Sequence, residues 1–257
     1  MESKTLGFIG GGRITKIFLQ SIENKNLIFK SIVVCDTDVE VVNSLKKQYP
    51  RIQISDCDGL AARQDIVFIA LHPPMILDVL RNVNSFIDDD TQVISLAPKI
   101  SIDKLSERLS TKKIARMIPN ATSFINEGYN PITFSKGFSE EDRNTFIKLF
   151  GFTGNLFEVE EPKLEAYAIL SAMLPTYFWF QFQELQKLGP KMGLSNEETM
   201  QSIKQTLIAA IDMYYNSGLS PDEVIDLIPV KPLSDHEEYI KGCFSDKLLS
   251  LYQKIKP

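Results

Sequence analysis

The sequence predicts an α/β protein, with a doubly wound parallel sheet over residues 1–160 and an all-helical region over residues 161–257. Three observations predict it. A short apolar run, Leu6 to Ile9, ends in Gly10, Gly11 and Gly12, which lead into helically spaced Ile14, Ile17, Phe18 and Ile22. Strand-like and helix-like segments then alternate, the pattern of a parallel sheet with right-handed crossovers. After Glu158–Pro162 the pattern turns helical only.

The elements follow in order. The first strand and helix enclose the glycines. Phe29 to Cys35 reads as the second strand, closed by Asp36, Thr37 and Asp38, and Val39 to Tyr49 as a helix that Pro50 ends. Ile52 to Ile54 is a short third strand and Asp65 to Leu71 a buried fourth. Pro73 and Pro74 then open a helix over Met75 to Phe86. Thr91 to Leu96 is the fifth strand, Ile102 to Leu109 a helix, and Lys113 to Ile118 the sixth strand. Pro131 to Phe134 and Asn155 to Val159 are further strands around a helix over Glu140 to Phe150. The C-terminal helices are expected over roughly Lys163 to Met192, Ser195 to Asn216, Pro221 to Ile228 and Asp235 to Ile255. Ser195 with Glu197 and Glu198 resembles a helix start, and Asn216 to Gly218 a stop.

The bulk properties bound the function. A chain of 257 residues, 44% hydrophobic and 24% charged, can bury a core in one large domain or two modest ones. A net charge of −5 argues against general nucleic-acid binding. Cys35, Cys57 and Cys243 are scattered and odd in number, which makes neither a disulfide framework nor a metal site. No signal or transit peptide is read before the first strand, so a cytoplasmic location is expected. The apolar and aromatic run Tyr167 to Phe182 falls short of the roughly 20 residues of a membrane span. It is expected to be buried instead, within a core or between subunits.

The strand, glycine turn and helix are the setting of a dinucleotide phosphate loop. Gly10 permits the turn, Gly12 lets the backbone approach a pyrophosphate, and the helix start at Arg13 and Ile14 offers free amides and a positive dipole end. Thr15 stands where a third glycine is usual. Arg13 reads either as a phosphate contact or as a solvated cation. Asp36, ending the second strand, can accept hydrogen bonds from a ribose diol and repel a 2′-phosphate, or it can cap the next helix in rivalry with Thr37 and Asp38. His72 follows the fourth strand at the carboxyl edge, where open α/β sheets bind ligands. His236 reads as a surface residue. Asn120, behind Pro119, would present an amide near the nicotinamide ribose or form an ordinary strand-end turn. Ser171 and Pro175 lie inside the long apolar helix, where an internal proline frees a carbonyl and bends the chain. No serine triad, zinc spacing or Walker loop is present.

These segments together resemble the pyrroline-5-carboxylate reductase family over nearly the whole chain. Gly7 to Gly12, His72-Pro73, Arg116 to Ala121, Leu170-Ser171, Pro175 to Tyr177 and Met192 to Ser195 fall in the family's order. The resemblance implies an N-terminal Rossmann-type doubly wound parallel sheet and a C-terminal all-helical dimerisation domain, in a homodimer or higher homo-oligomer. It also implies reduction of a cyclic imine by NAD(P)H, with Gly10, Gly12, Arg13, Ile14, Asp36, His72, Pro73 and Asn120 at the coenzyme and Ser171 and Ser234 at the substrate. Three segments depart from the family. His72 replaces a lysine, and the family's Ser-Gly-Ser-Gly-Pro-Ala-Tyr segment has become Ser171 to Tyr177. The Ser-Pro-Gly-Gly-Thr-Thr loop that holds the substrate carboxylate is matched by Val230 to Asp235, with no glycine, where Lys231 could attract that carboxylate or stand as a solvated lysine. A coenzyme-binding relative without catalysis, or an oxidoreductase of another small substrate, is the alternative.

Overall fold

The apolar run from Thr5 to Ile9 forms β1, the centre of an eight-stranded sheet whose order is β3-β2-β1-β4-β5-β6-β7-β8. The computed structural model describes residues 3–55 and 58–257, so Cys57 lies outside the described residues. The other strands are β2 (Ser31–Cys35), β3 (Gln53–Ser55), β4 (Ile66–Ile69), β5 (Gln92–Ser95), β6 (Ile114–Met117), β7 (Gly128–Phe134) and β8 (Gly154–Glu158). Side chains alternate across the sheet, so Phe8 and Phe68, paired in register, share one face while Ile9 and Ile69 share the other. Both faces carry an apolar core, which is why β4 is apolar at every position.

On the first face, Phe8 stacks on Phe68 at 4.9 Å, and Phe18 and Phe150 pack against Phe68 at 5.1 and 5.2 Å. Helices α1 (Arg13–Asn24), α2 (Val39–Gln48) and α6 (Glu140–Phe150) cover this face, and α3 (Asp58–Ala62), α4 (Pro73–Val83) and α5 (Ile102–Ser106) the other. The sequence reading contains no counterpart of α3, which is a single short turn without a resolvable period.

Strands β1 to β6 are parallel as expected, and β7, a further strand whose direction the sequence left open, runs antiparallel to β6. The link 118–127, built around a 3-10 turn, is shorter than the dozen or so residues that a parallel crossover requires. Helix α6 then makes such a crossover and returns β8 parallel to β7.

The C-terminal part holds α7 (Leu164–Tyr167), α8 (Pro175–Leu188), α9 (Asn196–Asn216), α10 (Pro221–Asp226) and α11 (Ser234–Ile255). The long helix expected over Lys163 to Met192 is broken. A π turn at Ala168–Ala172 follows α7, with the Met173 amide donating to the Ala168 carbonyl at 3.0 Å. Pro175 therefore opens α8 rather than bending a helix from inside, the place where its missing N–H costs nothing. Ser195 caps α9 in a reciprocal box with Glu198, and Gly218, at φ +80°, follows its end.

The chain divides into two compact units, residues up to Met173 together with Tyr252–Pro257, and Leu174–Leu251. Residues 161–173 belong to the sheet unit, where Leu164, Glu165, Ala168 and Ile169 are buried. In the helical unit Trp179 is 51% and Phe180 64% exposed in the single chain. No described helix is long and apolar enough to cross a membrane.

Candidate functional site

The strand order reverses between β1 and β4, so the crevice for a ligand lies outside their carboxyl ends. The ladder continues past the strands there, with the Gly10 amide bonding Cys35 carbonyl at 2.9 Å and the Ala70 amide bonding Ile9 carbonyl at 2.8 Å. Gly10 has φ +106°, and a Cβ on it would lie 2.4 Å from the Ala70 carbonyl oxygen. Only glycine fits that turn. Gly12 differs: at φ −69° a Cβ would meet no protein atom within 4 Å. This open space faces the start of α1, where Gly12 offers no side-chain cap and the first-turn amides of Arg13 and Ile14 have no intrahelical acceptor. Thr15 is fully buried, and its hydroxyl donates to the Gly10 carbonyl, tying the helix to the turn. Such a cradle fits a pyrophosphate.

Asp36 is half-buried at the end of β2, beside this turn. One carboxylate oxygen accepts the Gly11 amide at 2.7 Å and the other the Asp38 amide at 2.9 Å. The cap of α2 is Asp38, whose side chain accepts from Glu40 and Val41. Arg13 is exposed and forms no ion pair among the described residues. His72 is exposed at the end of β4 as the uncapped residue before α4, whose first two positions are Pro73 and Pro74.

Asn120 and Ser171 meet. The Asn120 amide donates to the Ser171 carbonyl at 3.0 Å and hydroxyl at 3.1 Å, while its oxygen accepts from the Thr122 amide and hydroxyl. Ser171 in turn donates its hydroxyl proton to the Tyr129 carbonyl at 2.8 Å. Both side chains are thus spent on joining the end of β6 to β7 and to the π turn, with Asn120 5% and Ser171 7% exposed. Ser234 lies in the helical unit at the start of α11, its amide donating to the Lys231 carbonyl at 3.1 Å. Lys231 and Ser234 line an exposed groove with Pro232, Leu233 and Phe244.

Sequence reasoning missed the polar cluster beneath the carboxyl edge. Arg116, wholly buried on β6, donates to Glu161 at 2.9 Å and to Glu165, itself 1% exposed. The same Glu165 oxygen accepts the Lys99 amide at 3.4 Å, and Glu161 accepts the Ile102 amide at 2.7 Å. The signal was an arginine inside an apolar strand together with two glutamates one helical turn apart.

A family model for NADP oxidoreductases, coenzyme F420-dependent, matches residues 5–99, the stretch from β1 to the turn after β5. A pyrroline-5-carboxylate reductase of Pisum sativum is 22% identical over 88% of this chain and 82% of its own length. The chain is thus similar, along most of its length, to pyrroline-5-carboxylate reductases. Solved pyrroline-5-carboxylate reductases have the same fold. The Plasmodium falciparum pyrroline carboxylate reductase, solved with NADP bound, superimposes with a TM-score of 0.79 at 22% identity, over 99% of this chain and 96% of its own. The Streptococcus pyogenes 1-pyrroline-5-carboxylate reductase gives 0.81 at 19% identity, over 99% and 97%.

Proposed function

We propose that the chain is an NAD(P)H-dependent reductase of a small cyclic imine, pyrroline-5-carboxylate or a close analogue. The observation that carries this reading is the β1–α1 turn, where left-handed Gly10 and the open space beside Gly12 leave free amides facing the crevice. In this reading Gly10, Gly12, Arg13 and Ile14 hold the coenzyme phosphates. Asp36 receives the adenosine ribose diol on the lone pairs left by Gly11 and Asp38, and His72 and Pro73 border the nicotinamide half. When bound, the coenzyme supplies a hydride. The protein supplies orientation and exclusion of water. Asn120 and Ser171 hold the end of β6 in place rather than touch the reactants, because their donors are already engaged. Ser234 and Lys231 are exposed and available to a substrate. No side chain here is an obvious general acid, so the imine proton is taken from solvent.

We further read the chain as a cytoplasmic homodimer or higher homo-oligomer. The support is the exposed aromatic run of α8, which exceeds what a solvated helix carries. Residues 1–160 are assigned to the coenzyme and 161–257 to substrate and dimerisation. A second reading, a coenzyme-binding relative without imine reduction, is favoured by the glycine-free segment Val230 to Asp235 and the committed Ser171 proton. Titration with NADH and NADPH, followed by steady-state assays on pyrroline-5-carboxylate and other cyclic imines, separates the two. Reduction supports the first reading, and tight coenzyme binding with no reduction supports the second.

A further inference from the structure

Among the described residues, three that are not glycine have a left-handed backbone, Asn26, Asn126 and Lys99. Asparagine tolerates this conformation, and lysine does not favour it. Lys99, at φ +76°, stands in the turn after β5, on the carboxyl edge of the sheet. Strain of this kind persists only where the surroundings impose it. Here the imposing group is Glu165, which accepts the Lys99 amide with the oxygen that also binds buried Arg116. The Lys99 side chain is exposed, and its ammonium has no hydrogen-bond or ion-pair partner among the described residues. β5 lies two strands from β1, so the ends of these two strands are roughly 10 Å apart along the edge, and Lys99 follows the end of β5. That is the side of the switch point on which the nicotinamide half of a dinucleotide extends.

We propose that Lys99 is the anchor for the anionic group of the substrate, its carboxylate. The proposal deepens the reductase reading and rests on it for the class of ligand, a small ring bearing a carboxylate. The buried Arg116–Glu165 pair acts through Lys99 as a positioning device, fixing the turn so that the ammonium stands over the edge. A glycine would adopt this turn without strain. A lysine held there adds a charge at the cost of that strain.

The test is calorimetric binding of tetrahydrofuran-2-carboxylate, with neutral tetrahydrofuran as control, to the full chain saturated with oxidised coenzyme. The wild-type protein is expected to bind the carboxylate and to prefer it clearly to the neutral ring. Lys99→Met and Lys99→Gly should weaken carboxylate binding on the order of tenfold, as expected for loss of a charge-assisted hydrogen bond. Lys99→Arg should retain most of it. Lys99→Gly should unfold at no lower temperature than wild type, since it relieves the left-handed strain, so weakened binding there cannot be a folding defect. Equal carboxylate affinity in wild type and Lys99→Met, or no preference over the neutral ring in wild type, overturns the proposal. Lys99-dependent carboxylate binding without reduction of any cyclic imine supports the anchor and overturns the reductase reading alone.

Discussion

Gly10 and Gly12 sit two residues apart and make opposite predictions. At Gly10 any side chain meets the Ala70 carbonyl and an unfavourable φ, so Gly10→Ala should destabilise the fold by about 1–3 kcal/mol in denaturant unfolding. At Gly12 the protein leaves room, so Gly12→Val should keep its far-ultraviolet dichroism and lose coenzyme affinity in a fluorescence titration. Unchanged affinity in Gly12→Val would remove the phosphate cradle from the account. Asp36 makes a prediction about selectivity. A carboxylate held by the Gly11 and Asp38 amides repels a 2′-phosphate, so NADH should bind more tightly than NADPH. Asp36→Ser should shift that ratio towards NADPH on the order of tenfold, about 1.4 kcal/mol, and clearly tighter NADPH binding by wild type would show that Asp36 does not select.

Among the elements, β6 is joined to α7 and to the 3-10 turn before it by the Arg116–Glu165–Glu161 cluster. Truncating Glu165 to Ala leaves a buried guanidinium short of a partner and should cost about 3–5 kcal/mol in chemical unfolding. A loss below about 1 kcal/mol would mean that water replaces the pair. Helix α6 carries a pH-dependent contribution. Burial raises the Asp142 pKa, but hydrogen bonds from Ser139 and the Lys113 ammonium outweigh it and hold the carboxyl below its ordinary value. A folded pKa below the unfolded one, about 3.9, gives stability that is complete above that value and lost as pH falls through the lowered one. Acid titration of Asp142→Asn should therefore show lower stability at neutral pH and convergence with wild type in strong acid. Strands β1 to β6 and α1, α2, α4 and α6 were legible because each carries one clean period or cap. The reversal of β7 was not, since strand direction depends on the length of a link and not on any residue in it. Gly10 and Gly12 were legible by type and spacing. Lys99 and Arg116 were not, because φ and the partner of a buried charge are set by segments more than sixty and forty residues away.

At the scale of the whole molecule, the helical unit exposes Phe178, Trp179, Phe180 and Phe182 on α8, a surface typical of permanent subunit contacts. Sedimentation equilibrium should give a dimer or larger at micromolar concentration, and Phe180→Glu should shift it towards monomer. A folded wild-type monomer would refute this reading. The fold class was legible because it depends on the order of periodic segments, whereas the substrate depends on a few side chains that have diverged. Val230 to Asp235 holds no glycine, and position 72, after β4, is a histidine. The most direct test of the account is therefore the reaction itself, oxidation of NADH or NADPH followed by absorbance with pyrroline-5-carboxylate as acceptor. Turnover should require both coenzyme and imine and should disappear in Gly12→Val. Saturable coenzyme binding with no oxidation by pyrroline-5-carboxylate or any related cyclic imine would contradict it.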